Sequence, residues 1–214
     1  RDRYLAQALE QAGTNGYVAQ FLQARLQLAG GELQPAHTGL TRLHAEHPVQ
    51  PEIVRQLLAV LRLLKDWPTL ARLLPEARRH QWLPDDELLR LELDTHHALL
   101  SLELPSGAMN ALEHAWETVP KHLHDHPRLV AAYARQLLRQ NAVPECARRI
   151  EAVLDKHWDE ELARLYGDLP GTQPLEQLET AEDWRTRHGE SATLYCTLGK
   201  LARRAKLADR AHRY

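Results

Sequence analysis

The sequence predicts an all-α protein, an α–α superhelix in which helix hairpins stack into a solenoid. Two observations carry that expectation. Leu, Ala, Arg and Glu dominate the 214 residues, while one Phe, six Tyr and ten Gly leave little for strands and their tight turns. The second observation is a pattern that recurs at an offset of 34 residues. A turn is followed by an apolar or aromatic residue two positions on, and by further apolar residues about five and nine positions on.

Taken in order, the first hairpin turns at Gly31, continues through Leu33, Ala36 and Leu40, and closes at Pro48. The second turns at Lys65 and repeats the layout at Trp67, Leu70 and Leu74, with its closing slot at Trp82 and Pro84 just beyond. The third is irregular: 85–104 read as a long first helix, Pro105 and Gly107 break it, and 108–119 form its partner. The fourth turns at Asn141, followed by Val143, Cys146 and Ile150. In the fifth, Asp159 caps a short helix that runs through Tyr166, Gly167 ends it, and a loop leads to 174–189. The sixth begins with Tyr195, Leu198 and Gly199, turns at Lys206, and is truncated inside its second helix at Ala208 and Ala211. This is the period of tetratricopeptide (TPR) arrays, whose hairpins are each too small to stand alone. Residues 1–214 are thus expected to form one TPR-like solenoid, with irregular repeats around 85–119 and 159–189. The short fifth helix is tolerable only if neighbouring repeats cover its apolar face.

The stretch RLVAAYARQLLRQNAVPECARRIEAVLDKHWDEELARLYGDL (128–169) resembles the C-terminal TPR region of the proteobacterial HemY family. The residues that carry the resemblance are Leu129, Val130, Tyr133, Ala134 and Arg135, then Lys156, Trp158, Asp159 and Leu162, then Leu198 and Gly199. The Arg-Asp-Arg-Tyr-Leu start at 1–5 also resembles the beginning of that family's soluble region. The resemblance implies an inner-membrane protein whose N-terminal membrane helices lie upstream of this fragment, with the soluble part on the cytoplasmic side. It also implies a role in a late step of haem biosynthesis. The flavin-dependent oxidase that shares the HemY label is a different protein, and no Gly-x-Gly-x-x-Gly loop of its kind is present.

Composition and motifs narrow the chemistry. A formal charge of −2 gives no basic excess for nucleic acid. Cys146 and Cys196 lie far apart, outside any metal or redox spacing, and read as buried thiols. No phosphate cradle or nucleophile motif is present, so no enzyme is expected. Asp85 with Asp86, and Glu160 with Glu161, sit near helix starts, where the dipole favours them. Core packing is the expected role of Trp67, Trp82, Trp116, Trp158 and Trp184.

First helices line the concave face of a TPR array, so the repeat register nominates groove residues. Val18, Phe21, Arg25 and Leu28 come from the first hairpin, and Glu52, Arg55, Ala59 and Arg62 from the second. Arg128, Ala131, Arg135, Leu138 and Arg139 come from the fourth, and Thr193, Cys196, Lys200 and Arg203 from the last. Arginine forks pair with carboxylates, so this face suits an acidic peptide or a propionate-bearing porphyrin. Arginine stems snorkelling over apolar surface would give the same pattern.

Thirteen histidines raise the question of haem or metal. His96 falls at a groove position, which makes it a candidate axial ligand to haem iron, although a solvated histidine satisfies the same pattern. In HLHDH, His122, His124 and His126 would share one side of an extended loop, with His114 upstream. With only Asp125 adjacent as a supporting carboxylate, ordinary loop histidines are the favoured reading and no metal is expected. The functional expectation is a non-catalytic scaffold that binds proteins, including haem-biosynthesis enzymes. The alternatives are a haem or porphyrin carrier or sensor, and a general TPR envelope-assembly factor.

Overall fold

The structure, a computed structural model, describes residues 16–171 and 173–214; the resemblance at residues 1–5 lies outside them. The protein is all-α, and among the described residues every regular element is helical. The first six helices are α1 (Tyr17–Ala29), α2 (Leu33–Glu46), α3 (Pro51–Leu64), α4 (Trp67–Arg79), α5 (Asp85–Leu100) and α6 (Met109–Glu117). They are followed by α7 (Pro127–Arg139), α8 (Val143–Leu154), α9 (Glu160–Asp168), α10 (Pro174–His188), α11 (Ala192–Arg204) and α12 (Ala208–Ala211). None of them is long and apolar enough to cross a membrane.

The chain divides into two compact units, one up to Thr95 and one from His96 onward, with the boundary inside α5. In the first unit α1 packs on α2, α2 on α3 and α3 on α4, and α1 also touches α3. Leu40 and Leu43 of α2, Ile53, Leu57 and Leu61 of α3, and Leu70 and Leu74 of α4 meet in its core. In the second unit α7 packs on α6, α8 and α9, while α11 packs on α9, α10 and α12. The order is that of stacked hairpins: α1, α3, α7 and α11 each pack on the helix that follows as a hairpin partner, and α1 with α3, α7 with α9 and α9 with α11 are neighbouring first helices.

The repeat turns have a common physical basis. Gly31, Lys65, Asn141 and Lys206, the four positions picked out by the repeat, all adopt left-handed backbone, with φ of 79°, 57°, 60° and 60°. Each closes the preceding helix with two bonds to orphan carbonyls. At Lys65, for example, its own N–H reaches Arg62 O at 3.2 Å and the Asp66 N–H reaches Leu61 O at 3.0 Å. Gln81, beside the closing slot at Trp82, ends α4 in the same way. A residue with a Cβ is strained there, which predicts that Lys65→Gly and Lys206→Gly each stabilise the fold by about 1 kcal/mol or somewhat less. Thermal melts of the two variants should therefore lie a few degrees above that of the parent.

The stretched third repeat is explained by a loop over 101–108 fastened to α7. Gln140 accepts from the Gly107 N–H at 2.7 Å and the Ala108 N–H at 3.1 Å, and donates to Pro105 O at 3.0 Å. Gln136 donates to Leu102 O at 2.9 Å. Side-chain amides here reinforce a backbone turn closed by the Ala108 N–H on Pro105 O at 3.2 Å.

The short α9 is held as packing requires. Asp159 caps it by accepting from the Leu162 N–H at 2.9 Å, and Leu162, Ala163, Tyr166 and Gly167 are buried. Gly167 does not terminate the helix, which runs on to Asp168; instead it lies against Thr197 of α11. A Cβ there would stand 3.0 Å from Thr197 Cγ2 and 3.2 Å from its Cα, so glycine permits the close approach of two helices. The tryptophans pack as expected: Trp82, Trp116 and Trp184 are buried, while Trp67 and Trp158 are half-buried. The cysteines divide. Cys146 is buried, and burial pushes its thiol up to about 12. Cys196 is exposed, against the expectation of two buried thiols, because it occupies the open side of α11 opposite Leu194, Leu198 and Leu201.

Candidate partner-binding site

The nominated basic residues lie on the open sides of first helices, and most already hold a partner within the chain. In the first unit, Arg55 Nε donates to Trp82 O at 2.6 Å, and Arg62 reaches Asp94 of α5 at 3.5 Å. Arg25 of α1 is exposed and has no partner among the described residues. Phe21, one turn before it, is half-buried against the core.

In the second unit the acidic helix α9 lies between the basic helices α7 and α11. Arg135 of α7 pairs with Glu161, Lys200 of α11 with Asp168 at 2.5 Å, and Thr193 of α11 donates to Glu160 at 3.1 Å. Arg139 stands 3.8 Å from Glu103, and Arg203 is exposed without a partner among the described residues. These pairs are about half exposed, so each contributes only about 0–1 kcal/mol. Their larger effect is on charge: the cations Arg135, Arg139 and Lys200 of this face are answered by carboxylates 26 to 36 residues away in sequence. Arg204 does different work, donating to Gly167 O at 2.5 Å and to Leu169 O, and so capping α9.

Two register assignments fail. Ala131 is buried, because α7 is covered on most of its circumference and exposes Arg128, Arg135 and Arg139. His96 does not face a groove: it is 2% exposed, on the stripe of α5 that also buries Leu88, Leu91, Glu92, Thr95 and Leu100. That stripe holds a feature missed in the sequence. Glu92, 1% exposed, accepts two bonds from Arg78 of α4, at 2.9 and 2.6 Å, and this pairing raises the arginine pKa. The available signal was a carboxylate set among the leucines of an apolar stripe.

HLHDH is not an extended loop. A single 3-10 turn over Lys121–Leu123 rotates successive side chains apart, so the three imidazoles do not share a side. His122 is exposed. His124 donates from Nε2 to Val119 O at 2.9 Å and lies against Trp116, ring centroids 5.1 Å apart. His126 precedes α7, and burial, helped by the Arg128 charge, lowers its pKa despite Asp159. His114 stands beside Glu117 at 3.8 Å. Among the described residues no three His, Cys, Asp or Glu side chains are grouped to hold a metal ion.

The arrangement offers two first-helix faces of different character: arginines with few acids on α1 and α3, and a charge-alternating surface on α7, α9 and α11. No protein-family model matches the chain, and no curated protein matches it.

Proposed function

We propose that this chain is the TPR-like soluble part of a non-catalytic scaffold or adaptor that holds protein partners at the bacterial inner membrane. The observation that carries the reading is the side-by-side placement of first helices, α1 with α3 in the first unit and α7, α9 and α11 in the second, each burying one face and leaving polar side chains exposed on the other. A surface of repeated helices with exposed polar rows suits extended recognition of another protein, with specificity in a few side chains. The resemblance to the HemY family supplies the setting: a late step of haem biosynthesis, with the domain on the cytoplasmic side.

The test is depletion of the full-length protein followed by profiling of porphyrins. The scaffold reading expects late intermediates to accumulate while the isolated enzymes of the pathway keep their activity. Normal porphyrin levels would instead identify a general envelope-assembly factor. A saturable Soret shift on titrating haem into the purified chain would replace the scaffold with a carrier or sensor.

A further inference from the structure

The exposed large apolar residues of the first helices are not spread evenly. Val18 on α1, Leu63 on α3 and Leu89 on α5 are 54%, 58% and 38% exposed, whereas α7, α9 and α11 expose no large apolar side chain. The charges differ as well. Among the residues of α1 and α3, Arg25, Arg55 and Arg62 are accompanied by a single acid, Glu52; the acids that follow lie on α5, where Glu92 is taken up by Arg78 and Asp94 stands near Arg62. On the other face, α9 alone brings Glu160, Glu161 and Asp168 to its flanking basic helices. Among the described residues of the first unit, Asp94 reaches a nominated arginine, standing 3.5 Å from Arg62, whose side chain remains 61% exposed. Arg55 is tied by Nε only, to a backbone carbonyl, which leaves its charge unanswered.

We infer that the α1–α3 face is the docking surface, and that its occupant is a partner-protein segment in which carboxylates alternate with large apolar side chains. This deepens the scaffold reading and rests on it. Arg25, Arg55 and Arg62 take the carboxylates, in forked pairs where geometry allows, and Val18, Phe21 and Leu63 cover the apolar side chains. The α7–α9–α11 face, with most of its cations already neutralised, joins helices to one another rather than to a partner.

Two exposed arginines without partners among the described residues, one on each face, make the test clean: Arg25 and Arg203. The probe is a fluorescein-labelled synthetic peptide of alternating glutamate and leucine pairs, titrated with the 214-residue chain and followed by anisotropy. Saturable binding is expected, weakened roughly tenfold by Arg25→Glu and roughly fivefold by Leu63→Ser, and changed less than about twofold by Arg203→Glu. A control peptide with glutamine in place of glutamate should bind weakly, and the loss should deepen with salt. Equal losses from Arg25→Glu and Arg203→Glu, or no saturable binding, would overturn the inference. So would sedimentation showing that the face pairs two copies of the chain, with the dimer lost in Arg25→Glu. The two proposals fail separately: normal porphyrins on depletion leave peptide binding intact, whereas membrane-partner capture undisturbed by Arg25→Glu removes only the docking surface.

Discussion

Trp184→Ala is expected to destabilise the second unit by about 3–5 kcal/mol, a large share of what holds a domain folded. Trp184 is 0% exposed, and its ring meets Tyr166 edge-on with centroids 4.8 Å apart. The indole N–H donates to Asp155 at 3.0 Å, and the Tyr166 hydroxyl donates to Glu151 at 2.6 Å. Burial, with the bond to Glu151, pushes the Tyr166 pKa far up, so the phenol stays protonated as a donor. Truncation leaves a cavity between α9 and α10 and strips one side from a helix of only 9 residues that cannot persist alone. Asp155 keeps its pairing with Arg187 at 2.9 Å, so the loss reports packing more than charge. Urea denaturation followed by far-UV circular dichroism measures it, and Trp184→Phe, which retains most of the apolar area, should recover the greater part. A midpoint unchanged in Trp184→Ala would mean that α9 is held elsewhere.

Gly167→Leu should cost about 3 kcal/mol, at the upper end for overpacking a helix contact. The new side chain cannot turn aside, because the obstructing atoms include the Thr197 backbone at 3.2 Å as well as its side chain. Separating α9 from α11 also stretches the bond from Thr197 Oγ1 to Ala163 O, 3.0 Å, and the Arg204 cap on Gly167 O. Gly167→Ala is the informative companion. Its steric cost is partly offset by about 1 kcal/mol of helix propensity, so it should be mild. Equal stability of Gly167→Leu and the parent, by the same denaturation series, would show that the approach of these helices is not tight in solution. A glycine inside the helix, with neither turn nor positive φ, is explained only by what lies across from it.

That glycine separates what was legible in the sequence from what was not. The repeat located the turns at Gly31, Lys65, Asn141 and Lys206, and each is a left-handed helix stop. Asp159 was legible as a cap, since N-capping depends on residues three apart. Gly167 was misread as a stop, because a helix-ending glycine and a contact glycine look alike until the facing helix is known. His96 and Ala131 were placed on the wrong side for a related reason. An ideal register fixes angles around a helix, but burial depends on how many neighbours surround it.

Local chemistry, then, determined the helical class, the hairpin period and the turn geometry, since these follow from propensities and contacts within a few residues of chain. The tertiary structure decided which arginines remain available. Arg135 with Glu161, Lys200 with Asp168, and Arg78 with Glu92 join different helices, and no spacing rule within one helix specifies such partners. A charge acts on whatever lies within a few ångströms of it, so only the folded chain distinguishes the open guanidinium of Arg25 from the neutralised one of Arg135.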